Sequence, residues 1–361
     1  MSGLLIDSLN VCPQNALTGC KLRCATTFLL GLALMFVTNI ANAQMDRVYP
    51  LKGNPISGNV SEIKKDGVIV ESGQKKQAVA VDQIEKIMFE GDPTGLTKGR
   101  ESALDGQWDQ ALDELKRVDL NAIKRDIVKV DAAFFIAKCE AKVALAGRGS
   151  TAESAKKMLA FVTANPESIH FYGAARLLGD LAVAMGNFDR AGQFYGALAK
   201  APSADMKIEA AYLTGLAKLR QGKAAEAEAD FDKVIGAAVQ STSVLRIQTL
   251  SKAGRAVALS QQGKGDEGIK IVDVLITELN QADSEMAARI YNAQGSCFEA
   301  TGDTLGAAMA YLHTHLMFSG QADAHAEALS KLVQLWPKLG KPERANEARE
   351  ELQKRYPGWG K

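Results

Sequence analysis

Residues 209–236, EAAYLTGLAKLRQGKAAEAEADFDKVIG, decide the fold of this chain. The stretch predicts two short helices that fold back on each other at residues 221–223. Gly215 and Ala227 are small and stand where the two helices must approach closely. Larger apolar residues fill the seam between the helices: Leu216, Leu219, Phe231, Val234 and Ile235. One such hairpin cannot bury its apolar faces alone, so it requires similar hairpins on either side.

The rest of the chain repeats this spacing. Around Gly222, a small residue stands seven positions before the glycine, an alanine five positions after it and an aromatic residue nine positions after it. The pattern recurs around other glycines, closely at Gly186 and Gly302 and more loosely at Gly106, Gly263 and Gly340. From Gly186 onward, successive turn glycines lie 36 to 41 residues apart. Such a period predicts a stacked array of helical hairpins.

This recurrence resembles the tetratricopeptide repeat (TPR). The TPR signature has a small residue in the first helix, a turn glycine, alanine and an aromatic residue in the second helix, and then a proline. The resemblance covers residues 94–357. The long gap between Gly106 and Gly186 leaves room for one more hairpin, with helices over residues 131–146 and 152–164. We predict a mostly α fold, a TPR-like α-α solenoid of about seven helical hairpins.

Residues 46–92 have a different character. Short bursts of β-branched residues alternate with turn signals, of which Asp66-Gly67 is the best hairpin signal in the chain. Five short strands in this length predict a small all-β module, SH3-like or Sm-like, that is too small to be very stable alone. We expect Ile87, Phe89 and Leu96 to dock it onto the first helices. At the junction, Asp92 or Thr94 is expected to cap the following helix.

Residues 1–43 have the features of a signal peptide. Lys21 and Arg23 precede an apolar run, and small residues at Ala41 and Ala43 mark a cleavage site before Gln44. The alternative is an uncleaved membrane anchor, although the apolar run is short for a span. We expect cleavage after Ala43 and a location in a bacterial periplasm or outside the cell. A membrane is a partner only if the leader stays uncleaved.

Charge and cysteine usage narrow the function further. The chain has 43 Lys and Arg against 42 Asp and Glu, and this balanced surface gives no basis for nucleic-acid binding. Three of the five cysteines lie in the leader. Cys139 and Cys297 fall in distant hairpins, so we predict two unpaired and mostly buried thiols.

No catalytic pattern stands out. His313 and His315 are two positions apart on a predicted helix and point in different directions, which is unsuited to binding one ion. His313 is within reach of His325 across adjacent helices, but no acidic or thiol cluster accompanies them. Ser168, His170 and Asp180 match no recognisable nucleophile arrangement. We expect no catalytic residue, no metal, no cofactor and no enzymatic activity.

What the TPR resemblance implies is a concave groove lined by the first helix of each hairpin. The positions two, three, six, ten and thirteen residues before the turn glycine line it in TPR arrays. In this sequence they are Arg176, Asp180, Glu209, Tyr212, Leu216, Leu219, Arg220, Arg289, Asn292, Ser296 and Glu299. This mixed polar and aromatic set suits an extended peptide or a partner helix.

Three functional hypotheses remain open at this point. The first is a non-enzymatic scaffold of the bacterial cell envelope that binds another envelope protein or peptide in the groove. The second is a structural accessory protein whose solenoid self-associates into homo-oligomers. The third is a peptidoglycan- or glycan-binding role for the β module. The alternative for this module is that it only caps the open end of the solenoid.

Overall fold

The computed structural model describes residues 45–239, 241–280, 282–357 and 359. The predicted leader, residues 1–43, lies outside the described residues, so its export and cleavage stay predictions.

The β module is one antiparallel five-stranded sheet, as predicted. Its strands run in the order β4-β3-β2-β1-β5. They are β1 (Asp46–Pro50), β2 (Ile56–Lys64), β3 (Gly67–Ser72), β4 (Lys75–Ala80) and β5 (Ile84–Met88). The β2–β3 hairpin turns at Lys65 and Asp66, and Gly67 already pairs with Lys64. A side chain on Gly67 would meet the backbone carbonyl of Val79 in β4, so this glycine serves the close approach of a strand.

In the described residues after the β module, fourteen helices form seven consecutive hairpins, which confirms the predicted TPR-like solenoid arrangement. They are α1 (Thr94–Leu104), α2 (Trp108–Lys116), α3 (Asp126–Leu145), α4 (Thr151–Ala164), α5 (Phe171–Ala184), α6 (Phe188–Leu198), α7 (Ala204–Arg220), α8 (Ala224–Ile235), α9 (Thr242–Gln261), α10 (Gly265–Thr277), α11 (Ser284–Thr301), α12 (Thr304–Met317), α13 (Ala322–Lys338) and α14 (Pro342–Arg355). In the described part of the chain, none of these helices has the length and apolarity required to cross a membrane.

Small residues are required in α7, α9 and α11 because aromatic rings pack directly on them. Phe231 of α8 is fully buried. A methyl group added to Gly215 of α7 would lie 2.8 Å from its ring, and one added to Gly254 of α9 would lie 2.6 Å from it. Gly295 and Tyr311 repeat this contact in α11 and α12. The ring of one hairpin therefore also fixes the distance to the next hairpin.

The β module shares its core with the first helices. Ile87, Phe89 and Leu96 are buried in one apolar cluster that extends from the sheet to α5, which confirms their docking role. The buried carboxylate of Asp46 accepts hydrogen bonds from the backbone N–H groups of Val60 and Glu90. It also accepts two hydrogen bonds from the guanidinium of Arg125, at 2.7 and 2.9 Å.

A buried ion network reinforces this junction. Arg100 of α1 is completely buried and donates to Asp92 at 2.9 Å and to Asp131 of α3 at 2.5 Å. The other oxygen of Asp131 lies 2.8 Å from Nε2 of His170, whose ring stacks on Phe134. The expected capping roles of Asp92 and Thr94 are wrong. Pro93 holds the cap position with no side-chain bond, because Asp92 is bound to Arg100 and to the N–H of Phe89.

The helical repeats wind back on themselves. Arg220 at the end of α7 pairs with Glu327 of α13 at 2.9 Å, across an interval of 107 residues. Its guanidinium also lies over the ring of Trp359, 4.7 Å from the centroid. Elsewhere, Gly147 after α3 approaches the carbonyl of Arg355 so closely that a side chain would not fit there. The last hairpin therefore contacts the second and fourth hairpins.

Candidate functional site

The groove residues predicted from the sequence face one another, but many of them are already paired. We call the inner sides of α5, α7, α11 and α13 the groove. Arg176 of α5 pairs with Glu209 of α7 at 2.7 Å. Arg289 of α11 pairs with Asp323 of α13 at 2.6 Å. With the Arg220–Glu327 pair, each of the three predicted groove arginines has an acidic partner.

Three other predicted positions hold the repeats together. The hydroxyl of Tyr195 in α6 donates to Asp180 at 2.9 Å. Glu299 accepts from Tyr311 of α12 at 2.8 Å, and Lys331 lies 2.9 Å from the same carboxylate. The hydroxyl of Ser296 lies 2.6 Å from that of Ser260 in α9. Asp180, Glu299 and Ser296 therefore contribute to packing between helices rather than presenting free groups.

The remaining predicted residues lie deeper than a solvated groove would place them. Leu216 and Leu219 belong to the apolar core around α7. Tyr212 and Asn292 are each only 4% exposed. Asn292 is covered by α13, where its amide donates to the carbonyl of Ala324. Tyr212 packs in the apolar core beside Phe231. The sequence pattern specifies the faces of the helices but not how far the array curls.

Three buried polar atoms in the groove make no hydrogen bond within the described part of the chain: the Tyr212 hydroxyl, Nε of Arg289 and Oδ1 of Asn292. Nε of Arg289 is 3.5 Å from the Glu285 carboxylate without bonding to it. Arg289 and Asn292 are three positions apart and share one face of α11. A buried polar group without a partner costs about 1–3 kcal/mol, so such a cluster calls for an explanation.

Tyr212 belongs to the same cluster as Arg289. Burial raises the pKa of the Tyr212 phenol to about 12, the nearby positive charge of Arg289 opposes this shift, and the charges of Glu285 and Asp323 add to it. Met286 of α11, one turn before Arg289, packs against the apolar cluster that contains Tyr212. The cluster therefore offers two donors and an acceptor: the phenol, a guanidinium N–H and an amide oxygen.

The solved structures that resemble this chain decide the fold. One is a tetratricopeptide repeat protein from Parabacteroides merdae ATCC 43184, with a TM-score of 0.50 and 16% identity over 74% of this chain and 93% of that one. Another is a Rap protein complexed with Competence and Sporulation Factor, with a TM-score of 0.55 and 15% identity over 72% of this chain and 73% of that one. The fold is the TPR fold. No protein-family model and no curated protein sequence matches the chain.

Glu327 is a groove residue that was not among the residues predicted from the sequence, although its spacing fits the TPR pattern. Glu327 stands thirteen residues before Gly340, the position that Glu209 and Arg289 occupy in their own hairpins. The last hairpin matches the TPR pattern weakly, so its groove positions were not assigned from the sequence. Asp323, one turn earlier in α13, has no such signal and is identified only by its contact with Arg289.

A histidine pair that the sequence did not predict lies where the sixth TPR hairpin meets the last one. The suggested meeting of His313 with His325 is wrong, because His313 stacks on Tyr291. Nδ1 of His315 instead lies 2.8 Å from Nε2 of the buried His325. Burial lowers the pKa of His325 to about 4. The charges of Arg355 and His315 add to this shift, and the charge of Glu351 opposes it less strongly. Its imidazole is therefore neutral at neutral pH.

Other reactive side chains in the TPR helices are engaged or buried. His170 uses Nε2 for Asp131, and the Ser168 hydroxyl accepts from the backbone N–H of His170 rather than from its ring. Cys139 and Cys297 are free and buried, as predicted. Burial raises their thiol pKa values to about 11 and about 12, so neither thiol is an activated nucleophile.

A cavity of about 760 Å³ lies where the β module meets the first TPR hairpins. It is lined by the junction around Gly91 and Pro93 and by the segment between α2 and α3, including Arg117 and Arg125. None of its lining residues comes from the strands themselves. A glycan-binding role for the β module stays a prediction.

Proposed function

We propose that this chain is a non-enzymatic interaction scaffold whose groove binds an extended polypeptide segment of another protein. The cluster of Tyr212, Arg289 and Asn292 carries the proposal, because these buried groups lack partners that a ligand would supply. An extended peptide presents carbonyl oxygens to the phenol and guanidinium and N–H groups to the Asn292 oxygen. The solved Rap protein of the same fold is itself a complex, with Competence and Sporulation Factor.

The ion pairs of the groove favour a ligand recognised through its backbone. Arg176, Arg220 and Arg289 are already neutralised by Glu209, Glu327 and Asp323. A strongly charged ligand would have to break these pairs, and each break leaves a partly buried charge alone. Backbone amides bring no net charge and require no such exchange.

Access to the cluster requires the groove to open. Tyr212 and Asn292 are buried, and the Arg220–Glu327 pair joins the two walls at α7 and α13. This pair is partly exposed, so it contributes only about 0–1 kcal/mol and opens easily. The groove therefore admits a ligand when α13 moves away from α7. The envelope as the place of action rests on the leader sequence alone.

We expect Tyr212→Phe to separate binding from stability. The substitution removes only the hydroxyl, which has no partner in the free protein, so the melting temperature is unchanged or rises. Binding of peptides selected on the wild-type chain from a random library should weaken about tenfold, the equivalent of one hydrogen bond of about 1.4 kcal/mol. Calorimetric melting and fluorescence anisotropy measure the two effects.

Tyr49→Phe is the matched control, because it removes a tyrosine hydroxyl from β1 on the other side of the junction. It should leave the affinity unchanged. If Tyr212→Phe and Tyr49→Phe bind selected peptides as the wild type does, the groove cluster is not the binding site. Failure of the library to yield any binder that competes for the groove would also reject the proposal.

A second candidate function, self-association, is favoured by the outer face of α12. This helix contains no Asp, Glu, Lys or Arg from Thr304 to Met317. Large apolar side chains are exposed along it at helical spacing: Leu305, Met309, Leu316 and Met317, with exposed fractions from 54% to 66%. In a two-fold dimer, this face of α12 packs against the same face of the second copy. Because the helix has no formally charged side chain, the two copies do not repel each other there.

Sedimentation of the purified chain tests this second candidate. We expect a concentration-dependent dimer in the wild type and a monomer in the double variant Leu305→Glu plus Met309→Glu, because the charges would be buried unpaired. Val274→Glu, at an exposed apolar position of α10, is the control and should still dimerise. A wild-type monomer at every concentration would exclude self-association.

A further inference from the structure

Three potential metal ligands from three different helices meet where the sixth hairpin packs on the last one. They are His315 near the end of α12, His325 near the start of α13 and Glu351 in α14, and one ligand atom of each lies within 4.8 Å of the others. We infer that His315, His325 and Glu351 bind a divalent transition-metal ion, zinc being the ion that this donor set suits best. Two imidazoles and one carboxylate form a common zinc-binding set.

The distances between the ligand atoms are close to those of a tetrahedral zinc site. Bonds of about 2.0–2.1 Å place neighbouring ligand atoms about 3.3 Å apart. Nδ1 of His315 and Nε2 of His325 are 2.8 Å apart and must separate slightly. An oxygen of Glu351 lies 3.8 Å from Nε2 of His325 and must approach. One ligand atom of each of the three residues lies within 4.8 Å of the other two. His315 and Glu351 are partly exposed, so their side chains have room to adjust.

The neighbours of His325 direct the correct nitrogen at the ion. The Tyr356 hydroxyl lies 2.9 Å from Nδ1 of His325. With Nδ1–H donating to this hydroxyl, the lone pair of Nε2 points at His315 and Glu351. Ligating histidines are typically fixed in this way by a hydrogen bond from the other ring nitrogen. In this tautomer Nδ1–H of His315 donates to Nε2 of His325, and His315 binds the ion through Nδ1 once this proton has moved to its own Nε2.

Charge and access are compatible with an ion at this place. Glu351 supplies one negative charge, and its present cationic partner is Arg355 at 3.0 Å. Arg355 also donates to the carbonyl of Ser319 at 2.9 Å, so it keeps a partner when Glu351 turns toward the ion. Water reaches the site past the partly exposed His315 and completes the fourth coordination position. Cys139 and Cys297 lie on other helices, so the ligands are nitrogen and oxygen only.

An ion at this site would connect α12, α13 and α14 and fix the segment that follows them. Tyr356 begins that segment, and Trp359 within it contacts Arg220 at the edge of the groove. The metal would therefore hold the C-terminal segment on the fourth hairpin. This inference does not depend on the proposed peptide binding.

Isothermal titration calorimetry, in which zinc chloride is added to the metal-free full-length chain, tests the site. Because cysteine thiolates are zinc ligands in general, the thiols of Cys12, Cys20 and Cys24 are alkylated first. We expect one ion per chain in the wild type and affinities at least about 100-fold weaker in His315→Gln and Glu351→Gln, which each remove one of three ligands. Tyr356→Phe should weaken binding about tenfold, as the loss of an orienting hydrogen bond does.

His313→Gln is the matched control, since it lies two positions from His315 on the same helix and outside the cluster. It should bind zinc as the wild type does. Zinc should also raise the melting temperature of the wild type but not that of His315→Gln. No zinc binding in the wild type would overturn the inference. Equal binding in His315→Gln and the wild type, or equal loss in His313→Gln, would also overturn it.

Discussion

Phe231→Ala should destabilise the middle of the repeat array by about 3–5 kcal/mol, the usual cost of removing a buried phenylalanine ring. The ring is fully buried between Gly215 and Gly254, so neither neighbour has a side chain that fills the space left behind. Hydrogen exchange should show the loss in α7, α8 and α9, because a repeat contacts mainly its neighbours. Urea unfolding measures the total, and Val274→Ala, at an exposed site, should cost less than about 0.5 kcal/mol.

The two glycines provide a sharper test of the same contact. In the wild type, Gly254→Ala places a methyl group 2.6 Å from the Phe231 ring, so it should destabilise. In the Phe231→Ala background the ring is gone, and the same change should stabilise by up to about 1 kcal/mol, the helix-propensity difference between alanine and glycine. If Gly254→Ala has the same effect in both backgrounds, the ring does not set the spacing between α7 and α9.

The sequence predicts the repeats well because their determinants are local. A turn glycine, an alanine and an aromatic residue at fixed positions each correspond to one contact inside a hairpin, such as Phe231 on Gly215. The alternation of β-branched residues likewise predicts the strands of the β module. Each of these signals lies within about 20 residues of its partner, and the period of the repeats adds them together.

The groove and the histidine pair depend on distances that local signals do not contain. Tyr212 was expected to line an open surface, yet it is buried in the apolar core. The contact of Arg220 with Glu327 results from small rotations added over several hairpins. His315 and His325 meet because of the turn between α12 and α13. The sequence spacing alone favoured a contact between His313 and His325. Side chains brought together by the curl of the array are therefore known only from the structure.

Arg100→Met should destabilise the junction of the β module and the helices by about 3–5 kcal/mol at neutral pH. Arg100 is fully buried and bonds to both Asp92 and Asp131, so its loss leaves two buried carboxylates without their cation. Arg117→Met is the control. Its side chain is 72% exposed and pairs with Glu114 near the end of α2, so the expected cost is below about 0.5 kcal/mol.

The dependence of this cost on pH identifies its cause. In the wild type, burial favours the protonated form of Asp131, but His170 and Arg100 outweigh this effect and hold the pKa of Asp131 below its usual value. The pKa of Asp92 is raised, because burial is the larger effect there. Without Arg100, both pKa values should rise in the folded state, so the variant takes up protons on folding and loses stability as pH rises. The difference in unfolding free energy from the wild type should therefore be largest near pH 7 and shrink toward pH 4.

Urea unfolding at several pH values measures this difference, and Asp131→Asn in the Arg100→Met background should recover part of the loss. A cost that is the same at pH 4 and pH 7 would mean that lost packing, not an unpaired carboxylate, destabilises the variant.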